Sequence, residues 1–176
     1  MQPTVKTDVS AYFRRLYRVF ARKYAVPFLI GVVIAVVFSR YYGFAVNLSY
    51  SLPHRLYLID KNKTNLALFR DGDYVAFAWQ GGFYSIGTQM LKEVAGLPGD
   101  TVSRQGRDFF VNGKPVGHAK EQSLDGMPLA ANSFTGVIPD KFFWVKGEHR
   151  DSLDSRYQLS GLIHAGQIIG KAYPIF

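Results

Sequence analysis

The stretch DFFVNGKPV (residues 108–116) decides the fold class of this chain. It contains Asn112-Gly113 between two apolar runs, and this pair is the strongest two-residue signal for a β-hairpin. Further short runs rich in aromatic and β-branched residues lie on both sides: LYLI (56–59), DYVAFAW (73–79), TVSR (101–104), KFFWVKG (141–147) and QIIGKAYPIF (167–176). Residues 43–176 have no sustained 3.6-residue period, so we predict a compact, mostly β domain with antiparallel strands.

An uncharged segment, YAVPFLIGVVIAVVFS (residues 24–39), precedes this domain. As a helix it would span about 24 Å, whereas the hydrocarbon core of a bilayer is about 30 Å thick. Arg40 can snorkel to the interface and let Tyr41 and Tyr42 complete the span. We therefore predict a transmembrane anchor over residues 24–42. A cleavable signal peptide is a second interpretation, although no A-x-A site follows, and a buried core helix is a third.

The net charge of +8 is unevenly distributed. Residues 1–23 carry six basic side chains against Asp8 alone, while residues 44–176 hold 14 basic and 12 acidic side chains. A nucleic-acid binder would concentrate its basic residues on the folded domain, so we predict no nucleic-acid partner. The positive tail (1–23) should stay in the cytoplasm, which sends residues 43–176 across the membrane. The absence of cysteine excludes disulfides and thiolate catalysis.

Two segments contain candidate catalytic residues. Ser49 and Ser51 lie in NLSYSLPHRLY (47–57), directly after the anchor, where a loop role is the ordinary interpretation. Lys92 lies in an apolar strand, MLKEVAG (90–96), where a lysine normally points to solvent. Burial would lower its pKa from about 10.4 and make it a general base for a serine, without any histidine.

A third polar segment, GEHRDSLDSRY (147–157), begins at Gly147. Asp154 and Arg156 can form an ion pair here, and Ser152 can hydrogen-bond a lysine. By itself the segment is typical of a polar loop.

Taken in order, the three segments resemble the signal peptidase I family of membrane-bound Ser/Lys peptidases. The resemblance covers about residues 45–176 and rests on K-x-V-x-G-L-P-G-D followed by S-x-D-S-R. It implies that Ser51 is the nucleophile and Lys92 the general base. It also implies that Ser49 belongs to the oxyanion hole, that Ser152 orients the lysine, and that Asp154 and Arg156 form a structural pair.

The serine segment differs from the usual S-M-x-P box, since here it reads S-L-P. The pattern N-x-S-x-S-x-P...Y is similar to the TraF-type peptidases of conjugative transfer systems, which process pilin subunits. Arg55, Glu93 and His149 depart from the patterns of these groups. The resemblance thus implies a pilin or signal-peptide-bearing precursor as substrate, and it leaves hydrolysis and cyclisation open. It also implies membrane lipid around the anchor and a catalytic domain on the periplasmic side of a bacterial inner membrane.

The four histidines have no metal-ligand spacing, so we expect no metal, no other cofactor and no Ser-His-Asp triad. Three other functions are alternatives: a housekeeping signal peptidase I, a self-cleaving repressor of the LexA type, and a non-enzymatic scaffold of a secretion channel. The apolar anchor argues against the repressor, which needs a soluble DNA-binding N-terminus.

Overall fold

A computed structural model describes residues 9–176 of the chain. Lys6 and Asp8 of the basic tail lie outside the described residues. The chain divides into two compact units, one ending at Arg40 and the other running from Tyr41 to Phe176.

The first unit is helical. Helix α1 (Val9–Phe20) continues through a π-helical turn (Ala21–Ala25) into helix α2 (Val26–Tyr41). Ser10–Tyr41 is the one helix in the described part of the chain that is long and apolar enough to cross a membrane. All side chains of α2 are at least partly exposed, which does not fit a core helix. Helix α2 therefore suits the predicted anchor, while helical structure also extends into the basic tail, to which the sequence interpretation assigns none.

The second unit consists of two antiparallel sheets, which confirms the predicted fold class. Its strands are β1 (Tyr42–Val46), β2 (Leu56–Asp60), β3 (Tyr74–Ala78), β4 (Gln89–Gly96), β5 (Thr101–Gln105), β6 (Asp108–Val111), β7 (Lys114–His118), β8 (Gly136–Val137), β9 (Phe142–Lys146), β10 (Ile163–His164) and β11 (Ile168–Pro174). The larger sheet has the order β1-β2-β11-β3-β4-β9-β10, and the smaller has the order β7-β6-β5-β8.

The predicted hairpin is confirmed at β6–β7. Asn112 and Gly113 both have positive φ, at 49° and 77°, as a tight turn between twisted strands requires. The Asn112 side chain also accepts a hydrogen bond from the Thr101 amide (2.9 Å) and donates one to the Asp100 carboxylate (2.7 Å). The hairpin is thereby attached to the start of β5.

Strand β4 joins the two halves of the core. It pairs with β3 on one side and with β9 on the other. Val94 packs in a cluster with residues of β3 and β9, and Ala95 packs in a second cluster with residues of the smaller sheet. Gly96 ends the strand where a Cβ would lie 2.7 Å from Ile138 Cδ1 and 3.2 Å from both Trp144 Cβ and Val111 Cγ1, so the packed side chains leave little room for a larger residue. Lys92 therefore lies in a strand fixed on both edges.

Candidate active site

The two candidate serines lie in the loop between β1 and β2. Ser51 is buried, with 4% of its surface exposed, whereas Ser49 is exposed. Tyr50, between them, has a φ of 52°, a left-handed conformation that costs about 1–2 kcal/mol for a residue with a side chain. The Ser49 hydroxyl donates to Ser51 Oγ at 3.1 Å. Both serine hydroxyls therefore belong to one hydrogen-bonded group.

Asn47 holds this loop together, a role that the sequence interpretation missed. Its Nδ2 donates to the carbonyls of Leu52 (2.8 Å) and His54 (3.1 Å). Its Oδ1 accepts from Ser51 Oγ at 3.4 Å, which is a long bond. It also lies 3.5 Å from Ser49 Oγ, whose single proton points to Ser51 in the shorter bond. Asparagine offers two donors and an acceptor on one planar group, so it can fix the backbone and orient the hydroxyls together. The N-x-S-x-S spacing is the sequence signal that could have indicated this role of Asn47.

Lys92 lies in the middle of β4, opposite Val75 of β3, and only 4% of it is exposed. Burial is the main influence on its amine and lowers the pKa of Lys92 to about 8. The Asp154 carboxylate opposes this change in pKa and the Arg156 guanidinium adds to it. Desolvation disfavours the ammonium form, so an appreciable share of this lysine is neutral near physiological pH.

Asp154 and Arg156 form a buried, two-pronged ion pair. Arg156 Nε and Nη2 donate to the two carboxylate oxygens of Asp154, each at 2.8 Å. Arg156 also donates to the carbonyls of His118 (3.0 Å) and Ser152 (3.1 Å), and Gly147 N donates to Asp154 Oδ2 (2.7 Å). Because the charges are balanced and hydrogen-bonded, this pair can fix the loop of residues 147–156 inside the fold.

Gly147 lies where the backbones carrying Ser51 and Ser152 meet. A Cβ at Gly147 would overlap the Ser152 hydroxyl, and would lie 2.5 Å from Ser152 Cβ and 3.1 Å from the Ser51 carbonyl oxygen. The next residue, Glu148, donates its amide to that carbonyl at 2.8 Å. Glycine at this position therefore allows the third segment to bind the backbone of Ser51 directly.

Four of the predicted site residues line one cavity of about 500 Å³: Ser49, Ser51, Lys92 and Ser152. Ser152 Oγ is buried and has no hydrogen-bond partner among the described residues, so the expected bond to the lysine is not made in this structure. Gly147, Asp154 and Arg156 are not among the residues that line the cavity. Gly147 and Arg156 contact the lining residue Ser152, and Asp154 is bound to Arg156. Much of the remaining wall is apolar, including Leu129, Leu153 and Tyr157.

A second feature that the sequence interpretation missed is the ion pair of Lys120 and Asp151, which also line this cavity. Hydrogen bonding to Lys120 lowers the pKa of Asp151. The pair connects the segment after β7 to the segment before Ser152. No local sequence signal could have joined two residues 31 positions apart.

The arrangement is thus a buried amine of lowered pKa and a buried hydroxyl in one cavity, each held by its own segment. Residues 17–176 match the family described as "Signal peptidase, peptidase S26". The chain belongs to this family.

Curated relatives include signal peptidase I S of Bacillus subtilis (strain 168), which is 35% identical over 94 residues, or 49% of this chain and 50% of the relative. Signal peptidase I of Bacillus amyloliquefaciens is 34% identical over 93 residues, with the same shares of 49% and 50%. The chain spans about half the length of these relatives. Among solved structures, a signal peptidase I from Enterococcus faecalis V583 has a TM-score of 0.40 and 22% identity, covering 58% of this chain and 95% of that one.

Proposed function

We propose that this S26-family chain is a serine endopeptidase in which Ser51 is the nucleophile and Lys92 is the general base. The observation that carries the proposal is that the buried Lys92 amine lines the same cavity as Ser51. With a pKa of about 8, about a tenth of the lysine is neutral at pH 7, against about 0.03% for an ordinary lysine. Burial therefore supplies the base that a serine nucleophile needs.

The reaction is an acyl transfer in two halves. Neutral Lys92 Nζ accepts the proton of Ser51 Oγ as the oxygen attacks the scissile carbonyl. The resulting ammonium returns the proton to the leaving amine when the peptide C–N bond breaks, which leaves an acyl ester on Ser51. Water then attacks the ester while Lys92 again accepts and returns a proton, and the acid product is released.

The negative charge on the tetrahedral oxygen needs donors that are already in place. We assign this role to the Ser51 amide and the Ser49 hydroxyl, because Ser49 Oγ lies 3.1 Å from Ser51 Oγ. Removing one such donor in another serine protease costs about 2.7–4 kcal/mol of transition-state stabilisation. We assign Ser152 a supporting role, because its hydroxyl is buried in the wall of the same cavity and has no hydrogen-bond partner among the described residues.

The pair is tested by measuring turnover of four purified variants. These are Ser51→Ala, Lys92→Met, Lys92→Arg and the double substitution Ser51→Ala/Lys92→Met. If the residues act as one unit, each single change removes nearly all turnover and the double change costs little more. Lys92→Arg should be as damaging as Lys92→Met, because a guanidinium stays protonated. Substantial processing by Lys92→Arg or Ser51→Ala would refute the mechanism and favour the scaffold function.

We further propose that residues 1–23 are a cytoplasmic tail, residues 24–41 a single-pass anchor in lipid, and residues 42–176 a periplasmic peptidase domain on a bacterial inner membrane. Tyr42, which the sequence assigned to the anchor, goes with the domain because it pairs with Asp60 between β1 and β2. The apolar α2 and the basic residues before it support this orientation. A reporter enzyme fused after Phe176 should be active only when it is exported. Activity of the fusion in the cytoplasm would reverse the proposed topology.

The substrate that we propose is a secreted pilin-type precursor of a conjugative transfer system. This rests on the resemblance of N-x-S-x-S-x-P...Y to the TraF-type subgroup alone; the contacts within the motif concern the conformation of its loop. Asn47 binds the loop from one side, and the buried Tyr57 accepts a hydrogen bond from the His54 amide at 3.3 Å on the other. Loss of one residue from the usual box is thereby compatible with a fixed Ser51.

Mass spectrometry of candidate pilins, incubated with the protein or with Ser51→Ala, separates the possible outcomes. Hydrolysis leaves two linear products. Attack by the substrate's own amine on the acyl ester instead gives a cyclic product, which is lighter by one water than the linear acid that hydrolysis of the same ester gives. An intact pilin beside a cleaved general signal peptide would support the second candidate, a housekeeping signal peptidase I. That candidate is favoured by the names of the Bacillus relatives.

A further inference from the structure

Helix α1 has two faces of opposite character. At 100° per residue, Arg14, Arg15 and Arg18 fall within an arc of about 100°. Arg22 follows in the π-helical turn, four residues after Arg18. The opposite arc holds the exposed large apolar side chains of the helix: Tyr12, Phe13, Leu16, Tyr17, Val19 and Phe20. This differs from α2, which is apolar nearly all round. A basic stripe opposite a stripe of aromatic and aliphatic residues is the pattern of a helix that lies in a membrane interface.

The charges of α1 repel one another along the helix. Arg14, Arg18 and Arg22 follow one another at four-residue spacing, and like charges at this spacing destabilise a helix. The first turn of α1, as the structure describes it, has no acidic residue. Arg14 bonds Ser10 and Arg18 Nε bonds the Arg14 carbonyl, and both partners are neutral groups. An external anionic surface would relieve this repulsion. Charge complementarity with the arginines therefore favours an anionic partner.

The junction with α2 is a π-helical turn within a helix that is continuous from Ser10 to Tyr41. The π-helical turn Ala21–Ala25 separates the two-faced helix from the apolar one. A π turn holds an extra residue and is one of the few features at which a helix can bend sharply. The helix can therefore change direction where its sequence changes from interfacial to membrane-spanning.

We propose that α1 binds the anionic phospholipid headgroups of the bilayer that holds α2, with its arginine stripe on the headgroups and its apolar stripe on the acyl chains. This rests on the proposed anchor, and it adds a lipid class and a binding surface. Each arginine near an anionic surface strengthens binding roughly fivefold. The contact should weaken as salt rises, since the screening length falls from about 10 Å at 0.1 M to about 3 Å at 1 M.

The cysteine-free chain allows a direct test on the whole chain of residues 1–176. A Phe13→Cys variant is labelled with an environment-sensitive fluorophore and reconstituted in bilayer discs of phosphatidylcholine, with or without about a third of phosphatidylglycerol. The expected result is a blue shift that needs the anionic lipid and is lost at 1 M salt. Changing the four arginines to glutamine should abolish it, and changing them to lysine should preserve it.

The matched control keeps composition and charge but breaks the stripe: Arg15→Leu with Leu16→Arg, and Tyr17→Arg with Arg18→Tyr. It should lose the blue shift although its net charge is unchanged. An equal blue shift in neutral discs, or in the glutamine variant, overturns the proposal. A blue shift that appears only when DNA is added, and not with anionic lipid, overturns it as well. Insertion of α2 into the discs is scored separately by protease protection, so failure of the proposed anchor is distinguishable from failure of the lipid contact.

Discussion

Replacing Lys92 by methionine should abolish peptide cleavage and make the peptidase domain more stable. Methionine has a similar length and shape to lysine. It carries no charge, so its burial involves neither a desolvated ammonium group nor the loss of a proton. The pKa of Lys92 falls from 10.5 to about 8 in the folded chain. A decrease of one in pKa corresponds to about 1.36 kcal/mol, so the charged lysine costs the fold about 3 kcal/mol. The ion pair behind it is not orphaned, because Asp154 remains bound to Arg156.

The stability gain should depend on pH in a defined way. Between pH 8 and 10.5 the unfolded chain binds the lysine proton and the folded chain does not, so wild-type stability rises with pH in this window. The advantage of Lys92→Met is therefore complete below pH 8 and disappears above pH 10.5. Catalysis has the same origin, since turnover of the wild type should rise with pH through about 8.

Tryptophan fluorescence provides the assay for this prediction. Trp79 and Trp144 are both buried in the peptidase domain, so their emission reports its unfolding and is independent of the anchor. Denaturant midpoints of wild type and Lys92→Met, measured in detergent near neutral pH and again above the ordinary lysine pKa, should differ in the first condition and converge in the second. Lower stability of Lys92→Met near neutral pH, or a difference that does not change with pH, would refute the argument from burial.

Three further outcomes follow from the geometry of the site. Ser49→Ala should lower turnover by roughly 10²-fold with little change in KM, since the hydroxyl acts on the transition state; an effect on KM alone would return Ser49 to a loop role. Asn47→Ala should slow acylation of Ser51 by a covalent serine probe and lower the melting temperature, because two loop carbonyls lose their donor; unchanged labelling would remove Asn47 from the site. Gly147→Ala should abolish turnover in a chain that still folds, because its Cβ displaces Ser152 and presses on the Ser51 carbonyl, and normal turnover would contradict this packing.

Much of the fold could be predicted because it depends on local signals. The turn at Asn112-Gly113 needs two residues that tolerate positive φ, and any window that contains them reveals it. Each predicted run overlaps one or two strands, with ends that differ by a few residues. Strand β1 was missed, and its first residue, Tyr42, was assigned to the anchor. The two-residue strands β8 and β10 were also missed, because pairing with β5 and β9 creates them and their own sequence does not.

The candidate site was predictable in its residues and unpredictable in its contacts. Ser51, Lys92 and Asp154 came from motif order, which reflects family resemblance and carries no distances. Composition could not show that Lys92 is buried, since a lysine among apolar residues usually reaches solvent. Its position depends on long-range pairing of β4 with β3 and β9. Its surroundings also depend on packing that brings the segments of Ser51 and Ser152 to the same cavity.

The buried ion pair explains why the nearby Asp154 carboxylate does not hold the pKa of Lys92 at its ordinary value. A lone carboxylate beside Lys92 would stabilise the ammonium and hold its pKa high. Here Asp154 is committed to Arg156 through two 2.8 Å bonds, and the guanidinium contributes a positive charge of its own. The pair thus offers the lysine little net attraction, and desolvation determines the result. Neutralising Arg156 while keeping Asp154 would free the carboxylate to attract the ammonium, so the pair has a function in setting basicity as well as in fixing the loop.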